Sequence, residues 1–521
     1  MGGAARALLA LQMGVRLVTF VLNQLLVRTA SPAVFGAANV QLELVLSIVL
    51  ALARDGVRSV VMRRRDARVH NLALAPVAAG GVLALAVGGV YTAWLAPQAL
   101  WAAGGAAVPL SVALYCAGAL LELVAEPLHT YALALDEYVV LRVAMEAGGV
   151  LARALVTVLL LRPAGLAWLQ QVVPLALPRG AAPLALIAFG MGRAAYGGVL
   201  LAVAAIGVAY VRSWAAVRRA LWPVADAPVD RETAALVRVT TAQALLKLLL
   251  TEGDKLAVAQ LTTLEDQGGY ALASNYGSLV ARTLFQPVEE SARLEFSRVG
   301  GRDGGAGEPA TSAAAALLTA LLRVHVLLAL GLVALGPPLA HPFVYVVAGA
   351  RWAEPPSAAA PILASYCWYL PVMGINGVVE AFVQSVAPPD VLAWYSRVLV
   401  GASAAFVGTL GAGHALYAGH GAALAAATGV GRESLLVLAN LVGLGVRAAA
   451  SWHYVRRFFG ARVRVESLLP SWPAVAVLGV CAAVLRKRLP ERGAPTADAL
   501  GVAAALLGAA LATMYVVGRR S

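Results

Sequence analysis

The sequence predicts an all-α, polytopic integral membrane protein, and three observations carry that reading. Hydrophobic residues make up 60% of the 521 and charged residues only 13%, with a mean hydropathy of +0.79; a soluble chain has roughly a quarter charged residues. Apolar runs recur from end to end, and about 20 such residues suffice to cross a bilayer. The breaks between the runs are short and rich in arginine. The formal charge of +13 therefore sits in scattered patches rather than on one basic face. That distribution argues against nucleic acid as a partner and for basic loops on the cytosolic side of a membrane.

About fourteen spans are expected. The first six fall near 5–28, 34–57, 70–92, 106–130, 138–161 and 183–211. The next six fall near 234–262, 268–296, 312–335, 357–383, 391–411 and 433–455, and two more near 467–485 and 496–517. This gives a first lobe over 1–211, a polar connector over 212–233, a second lobe over 234–455, and two extra helices within 456–521. The stretch from Ala164 to Ala182 is apolar but broken by Pro174 and Pro178, so it reads as interfacial. The first apolar stretch, Ala4 to Val27, is long enough to span and is expected to be retained.

Loop charge sets the expected orientation. With the N-terminus cytosolic, that side collects Arg58, Arg63, Arg64, Arg65 and Arg68, then Arg212, Arg218 and Arg219, then Arg298 and Arg302, then Arg456, Arg457, Arg462 and Arg464. The basic group Arg486, Lys487, Arg488 and Arg492 falls on the opposite side and breaks the rule. Cys116, Cys367 and Cys481 lie far apart in apolar stretches, as buried thiols do. No P-loop and no His/Cys metal spacing occurs, so neither cofactor nor metal is expected.

Charges inside apolar runs are the candidate functional residues, because each is costly if it faces lipid. The densest run is KLLLTEGDK, from Lys247 to Lys255. Glu252 and Lys255 are three apart and share a helix face. The chain has three lysines against 37 arginines, and two of those three fall in this run. A compact ammonium that can be desolvated is a reason to keep lysine there; a self-neutralising pair buried between helices is the structural alternative. A second group, LVARTLFQPVEES, places Arg282, Gln286, Glu289 and Glu290 near one stripe, with Pro287 interrupting the ladder. A third comprises Arg16, Asn23 and Arg28 on span one, then Asn39, Arg54, Asp55 and Arg58 on span two. Glu122 and Glu126, four apart on span four, could face those arginines, and Asn376 and Glu380 repeat the spacing on span ten. Plain alternatives for these groups are snorkelling helix ends and topology-fixing charge clusters. A weak internal repeat is also visible. Gly36 and Gly269 open spans two and eight, and charged pairs, Arg54–Asp55 and Glu289–Glu290, close them about 19 residues later.

The segment LLKLLLTEGDKLAVAQLTTLEDQGGYALASNYGSLVARTLFQPVEES resembles the signature region of the eukaryotic dolichol-pathway oligosaccharide translocation family. RLVTFVLNQLLVR, LALARDGVR, ELVAEPLH and SYCWYLPVMGINGVVEAF resemble it too, in the same order along most of the chain. The Ala/Gly-rich loops and residues 164–182 depart from the pattern, and family members often have Arg at the position of Lys255, which leaves Lys247 as the stronger lysine candidate. The resemblance implies the multidrug/oligosaccharidyl-lipid/polysaccharide exporter superfamily, with two six-helix lobes and two extra helices in the endoplasmic reticulum membrane. It implies that the protein moves, or supports the movement of, a dolichyl-diphosphate-linked glycan from the cytosolic to the lumenal leaflet for N-glycosylation. The expected mechanism is alternating access, with Arg28, Arg54, Arg58, Arg282 and Lys247 holding the diphosphate and the polar neighbours named above supporting them. Membrane lipids and glycosylation-pathway enzymes are the further expected partners. Two other readings stay open: a cation-coupled small-molecule antiporter of the same superfamily, and a non-transporting accessory protein of the glycolipid pathway.

Overall fold

A computed structural model describes residues 18–63, 69–132, 138–173, 180–224, 230–300, 308–428, 431–490 and 492–520. The described residues are almost entirely helical and contain no strand. This is the solution a bilayer enforces, since a helix satisfies its own backbone N–H and C=O groups. The helices used below are α1 (18–29), α2 (Pro32–Val61), α3 (His70–Leu95), α4 (Ala107–Ala132), α5 (Val140–Leu161) and α6 (Ala181–Val211). They continue as α7 (Trp214–Leu221), α8 (Arg231–Leu261), α9 (Leu264–Val280, carried on through a π turn into Gln286–Gly300), α10 (Thr311–Ala348), α11 (Ala359–Val386), α12 (Asp390–Gly421), α13 (Arg432–Phe459), α14 (Trp472–Arg488) and α15 (Ala497–Val517).

Among the described residues, ten of these are long and apolar enough to cross a membrane, against about fourteen expected along the whole chain. The other four differ for separate reasons. The first half of the expected span one lies outside the described residues, and α1 begins at residue 18. Helices α8 and α9 have the length, but their charged residues dilute the apolar windows. Helix α14 has 17 residues, a rise of about 25 Å and the short end of the spanning range. The 164–182 stretch forms a short helix, Pro163–Val172, while Pro174 and Pro178 lie outside the described residues. Helix α10 runs well past the expected end near residue 335, continuing through Pro337, Pro338 and Pro342.

Two compact units are present, Met1–Leu264 and Glu265–Ser521. The first unit takes in α8, which packs on α2. Gly56 of α2 has no side chain, and the Thr240 hydroxyl of α8 donates to the Gly56 carbonyl at 2.9 Å. At the other end of α8, the fully buried Gln41 donates to the Ala259 carbonyl at 2.7 Å and accepts from Tyr91 at 2.7 Å. In the second unit, Leu335 of α10 packs with Leu478, Cys481 and Leu485 of α14 and Ala503 of α15, so the two C-terminal helices share one apolar core with α10.

Candidate functional site: arginines bridged by a buried glutamate

Two complementary pairs meet inside the first unit. Arg54 and Arg58 are four apart on α2, and Glu122 and Glu126 are four apart on α4, so each pair projects from one face of its helix. Arg54 Nη1 donates to Glu122 Oε1 at 2.6 Å and lies 3.7 Å from Glu126 Oε1. Arg58 Nη1 is 3.7 Å from the same Glu126 oxygen, and its Nη2 is 3.4 Å from His129 Nε2. Asp55 Oδ1 lies 3.5 Å from Arg54 Nε. Arg54 occupies a five-residue π turn, Ala51–Asp55, which interrupts the regular ladder of α2 where the charges start. Such turns shift the azimuth of the residues that follow and recur at functional sites.

A third arginine completes the cluster. Arg193 of α6 is buried, donates from Nη2 to Glu122 Oε2 at 2.7 Å, and stacks over Tyr196 at 4.4 Å. Its reach to Glu122 depends on backbone proximity. A Cβ added to Gly197 would lie 2.5 Å from the Gly118 carbonyl oxygen, and one added to Gly118 would lie 2.9 Å from the Arg193 carbonyl oxygen. Glu122 stands one turn after Gly118, and Arg193 one turn before Gly197, so this close approach of α4 and α6 sets the ion-pair distance. Glu122 thus bridges two guanidinium groups, one on each carboxylate oxygen. Beside them, Arg153 of α5 pairs with Glu43 of α2 at 3.2 Å.

The cluster is not sealed. A recess of about 240 Å³ is lined by Glu43, Ser47, Arg54, Asp55, Arg193 and Leu248, among others. Among the described residues, Arg193 Nε is buried without a hydrogen-bond partner. A guanidinium presents five donors in a fixed fork. Here one edge is only half used, which is the geometry that a bidentate oxyanion completes.

The second unit carries a related arrangement. Glu380 of α11 accepts from Arg447 Nη2 of α13 at 2.8 Å, from Asn376 Nδ2 at 2.8 Å and from Gln384 Nε2 at 3.0 Å. In chain order, α4 pairs with α6 in the first unit and α11 pairs with α13 in the second. Each pair is a carboxylate on the earlier helix and an arginine on the later one. A π turn, Ala281–Phe285, interrupts α9, as Ala51–Asp55, the second of two π segments in α2, interrupts that helix. A separate recess of about 540 Å³ is lined by Gln286, Glu289, Glu290, Arg293, Leu294 and Ser297, with Glu289 and Arg293 paired at 3.1 Å.

The structure gathers only part of the residue set expected from sequence. Arg54, Arg58, Asp55, Glu122 and Glu126 form one cluster. Arg28 is exposed on α1 and Asn23 is half-buried there, and neither lines the recess. Asn39 turns back to its own helix, donating to the Phe35 carbonyl at 2.9 Å. Lys255 is exposed. The side chains of Lys247, Glu252 and Arg282 lie outside the described residues; their backbones belong to α8 and to the π turn of α9. Sequence reasoning missed Arg193, Arg153 and Arg447. A signal existed for each, since a lone arginine in the middle of an apolar span, as in GMGRAAYGG and LVGLGVRAAA, is a functional candidate by default.

The described residues form a multi-pass helical bundle with ten helices long and apolar enough to cross a membrane. Its architecture matches the lipid II flippase MurJ in an inward closed conformation, with a TM-score of 0.57 and 10% sequence identity over 98% of both chains. The chain belongs to the Rft protein family, whose model matches residues 3–521. It is 30% identical to the Man(5)GlcNAc(2)-PP-dolichol translocation protein RFT1 of Yarrowia lipolytica, over 91% of this chain and 73% of that protein. It is 29% identical to the protein of the same name in Mus musculus, over 88% and 83%.

Proposed function

We propose that this protein translocates a dolichyl-diphosphate-linked oligosaccharide across the endoplasmic reticulum membrane, from the cytosolic to the lumenal leaflet, in support of N-glycosylation. The single observation that carries the mechanism is the recess beside Arg54 and Arg193, where an oxyanion can reach guanidinium groups held within a membrane-embedded unit. A diphosphate bears about two negative charges, and exposing them to hydrocarbon would be prohibitive. With no substrate, Glu122 neutralises Arg54 and Arg193, and Glu126 lies against Arg54 and Arg58. An arriving diphosphate competes with Glu122 for the same forks and adds the contact that Arg193 Nε lacks. The polyprenyl tail needs no site, because the bilayer solvates it. The role is that of a transporter rather than an enzyme.

The test is translocation of a labelled dolichyl-diphosphate oligosaccharide by the purified protein in vesicles. R54A and R193A, each shown to be folded, should slow translocation at least tenfold. Full rates in both would remove the recess from the mechanism, and no translocation by the parent protein would favour an accessory role.

A further inference from the structure

Residues 212–224, which follow α6, form an ordered, two-faced structure. Ser213 caps α7, its hydroxyl accepting from the Ala216 backbone at 3.2 Å. The inner face of α7, Val217 and Ala220, is buried in an apolar cluster with Leu128 and Ala132 of α4 and Ala204 and Val208 of α6. Past its end, Asn71 clamps the chain from both directions, donating to the Val224 carbonyl at 2.6 Å and accepting from the Val224 amide at 2.8 Å. His70 Nε2 lies 3.0 Å from the Trp222 carbonyl. The orientation of α7 is therefore fixed at both ends.

What this fixed helix turns outward is unusual for a surface in contact with water. Trp214 is 64% exposed and Trp222 is 75% exposed. Arg218 stands four residues after Trp214 on the same face of α7, and Trp222 follows at the C-terminal end of the helix. Arg219 and Arg212 are exposed alongside, and Tyr210 at the end of α6 is almost fully exposed. Indole rings held rigidly outward are stable where one end is apolar and the other wet. Arginine between them recognises phosphate. The charge points to one kind of occupant, because every charged side chain on the outer face of α7 is positive.

We propose that α7 and its flanks form a binding surface for anionic phospholipid headgroups of the adjoining leaflet. Trp214 and Trp222 enter the boundary between headgroups and acyl chains, and Arg218 and Arg219 hold lipid phosphates and carboxylates. The patch is separate from the arginine recess and rests on different residues, so it stands whether or not the transport reading does.

The experiment reconstitutes the full chain into vesicles containing either bromine-labelled phosphatidylserine or bromine-labelled phosphatidylcholine at equal bromine content. The emission of Trp214 and Trp222 is obtained as the difference between the parent and W214F, W222F and the double variant, each measured so that one poorly folded variant does not decide the result. The expected result is that this emission is quenched by both lipids, at least twofold more by the brominated serine lipid. R218Q/R219Q should abolish the preference while leaving the quenching, with a loss of about fivefold in serine-lipid binding per arginine. Unquenched emission would overturn the proposal by placing the indoles in water. Equal quenching by both lipids, in the parent and in R218Q/R219Q alike, would overturn it by showing apolar contact without headgroup recognition.

Discussion

Replacing Glu122 by leucine removes the carboxylate that Arg54 and Arg193 share, and the cost can be worked from the geometry. The Arg193 side chain is 7% exposed and its ion pair with Glu122 spans 2.7 Å. Leaving a buried charge without its partner costs about 3–5 kcal/mol. Arg54 adds less, because it is 19% exposed and keeps Asp55 at 3.5 Å and Glu126 at 3.7 Å. A unit of this size loses roughly 2–4 °C of thermal midpoint per kcal/mol, so E122L should lower the midpoint by on the order of 10 °C. Replacing both members of a buried pair by apolar residues is close to neutral. E122L/R193M should therefore recover most of the loss, giving a coupling above about 2 kcal/mol. The isosteric E122Q separates stability from binding. It leaves Arg54 and Arg193 short of one negative charge, so inorganic pyrophosphate should raise its midpoint more than it raises the parent's. The assay is thermal unfolding of the purified protein in detergent, with and without pyrophosphate. An E122L midpoint within about 2 °C of the parent, or a double variant no more stable than E122L alone, would refute the view that Glu122 holds Arg193.

Three further outcomes follow from particular contacts. Gly197→Ala should destabilise by about 1–3 kcal/mol, because its Cβ would press on the Gly118 carbonyl oxygen, whereas Gly198→Ala, with nothing within 4 Å of the added atom, should be neutral or slightly stabilising; thermal midpoints of the two compare them directly. Gln41→Ala should cost about 1–3 kcal/mol, since the Tyr91 hydroxyl and the Ala259 carbonyl lose their shared amide; a midpoint equal to the parent's would show that this amide is dispensable to the docking of α8. Near the C-terminus, Glu354 accepts from the Gly493 backbone N–H at 2.6 Å and from His341 at 3.2 Å, and that amide holds its carboxyl below the usual carboxylate range. A depressed folded value means the stabilisation is present above the unfolded value, near 4.3, and is lost as pH falls through the folded one. Protection of the Gly493 amide against hydrogen exchange, corrected for intrinsic rate, should fall with that titration in the parent and be low and pH-independent in E354Q.

The internal repeat read from glycine and charge spacing has a structural counterpart that spacing did not point to. The π turns in α2 and α9 occupy comparable places. The closer parallel is the glutamate–arginine pair between α4 and α6 and again between α11 and α13. The carboxylates of α4 and α11 stand out by their spacing, whereas the arginines of α6 and α13 are isolated in sequence and find their partners only in the folded chain.

Sequence by itself determined the class of the protein and the place of most of its helices, though not where α10 and α12 end, and the physical reason is local. A bilayer obliges each crossing segment to satisfy its own backbone hydrogen bonds, so composition over about 20 consecutive residues decides the element without reference to the rest of the chain. Sequence also determined which faces of α2 and α4 carry charge, because spacing of four residues fixes azimuth within one helix. The tertiary structure decided which faces meet. Arg54 and Glu122 are 68 positions apart, and Arg193 lies 71 from the same carboxylate. Their contact depends on how closely α4 approaches α6 at Gly118 and Gly197, an interhelical distance that no pattern within either helix encodes. The same holds for α8, whose sequence places it after the connector while the Thr240 hydroxyl and the Gln41 amide tie it to α2.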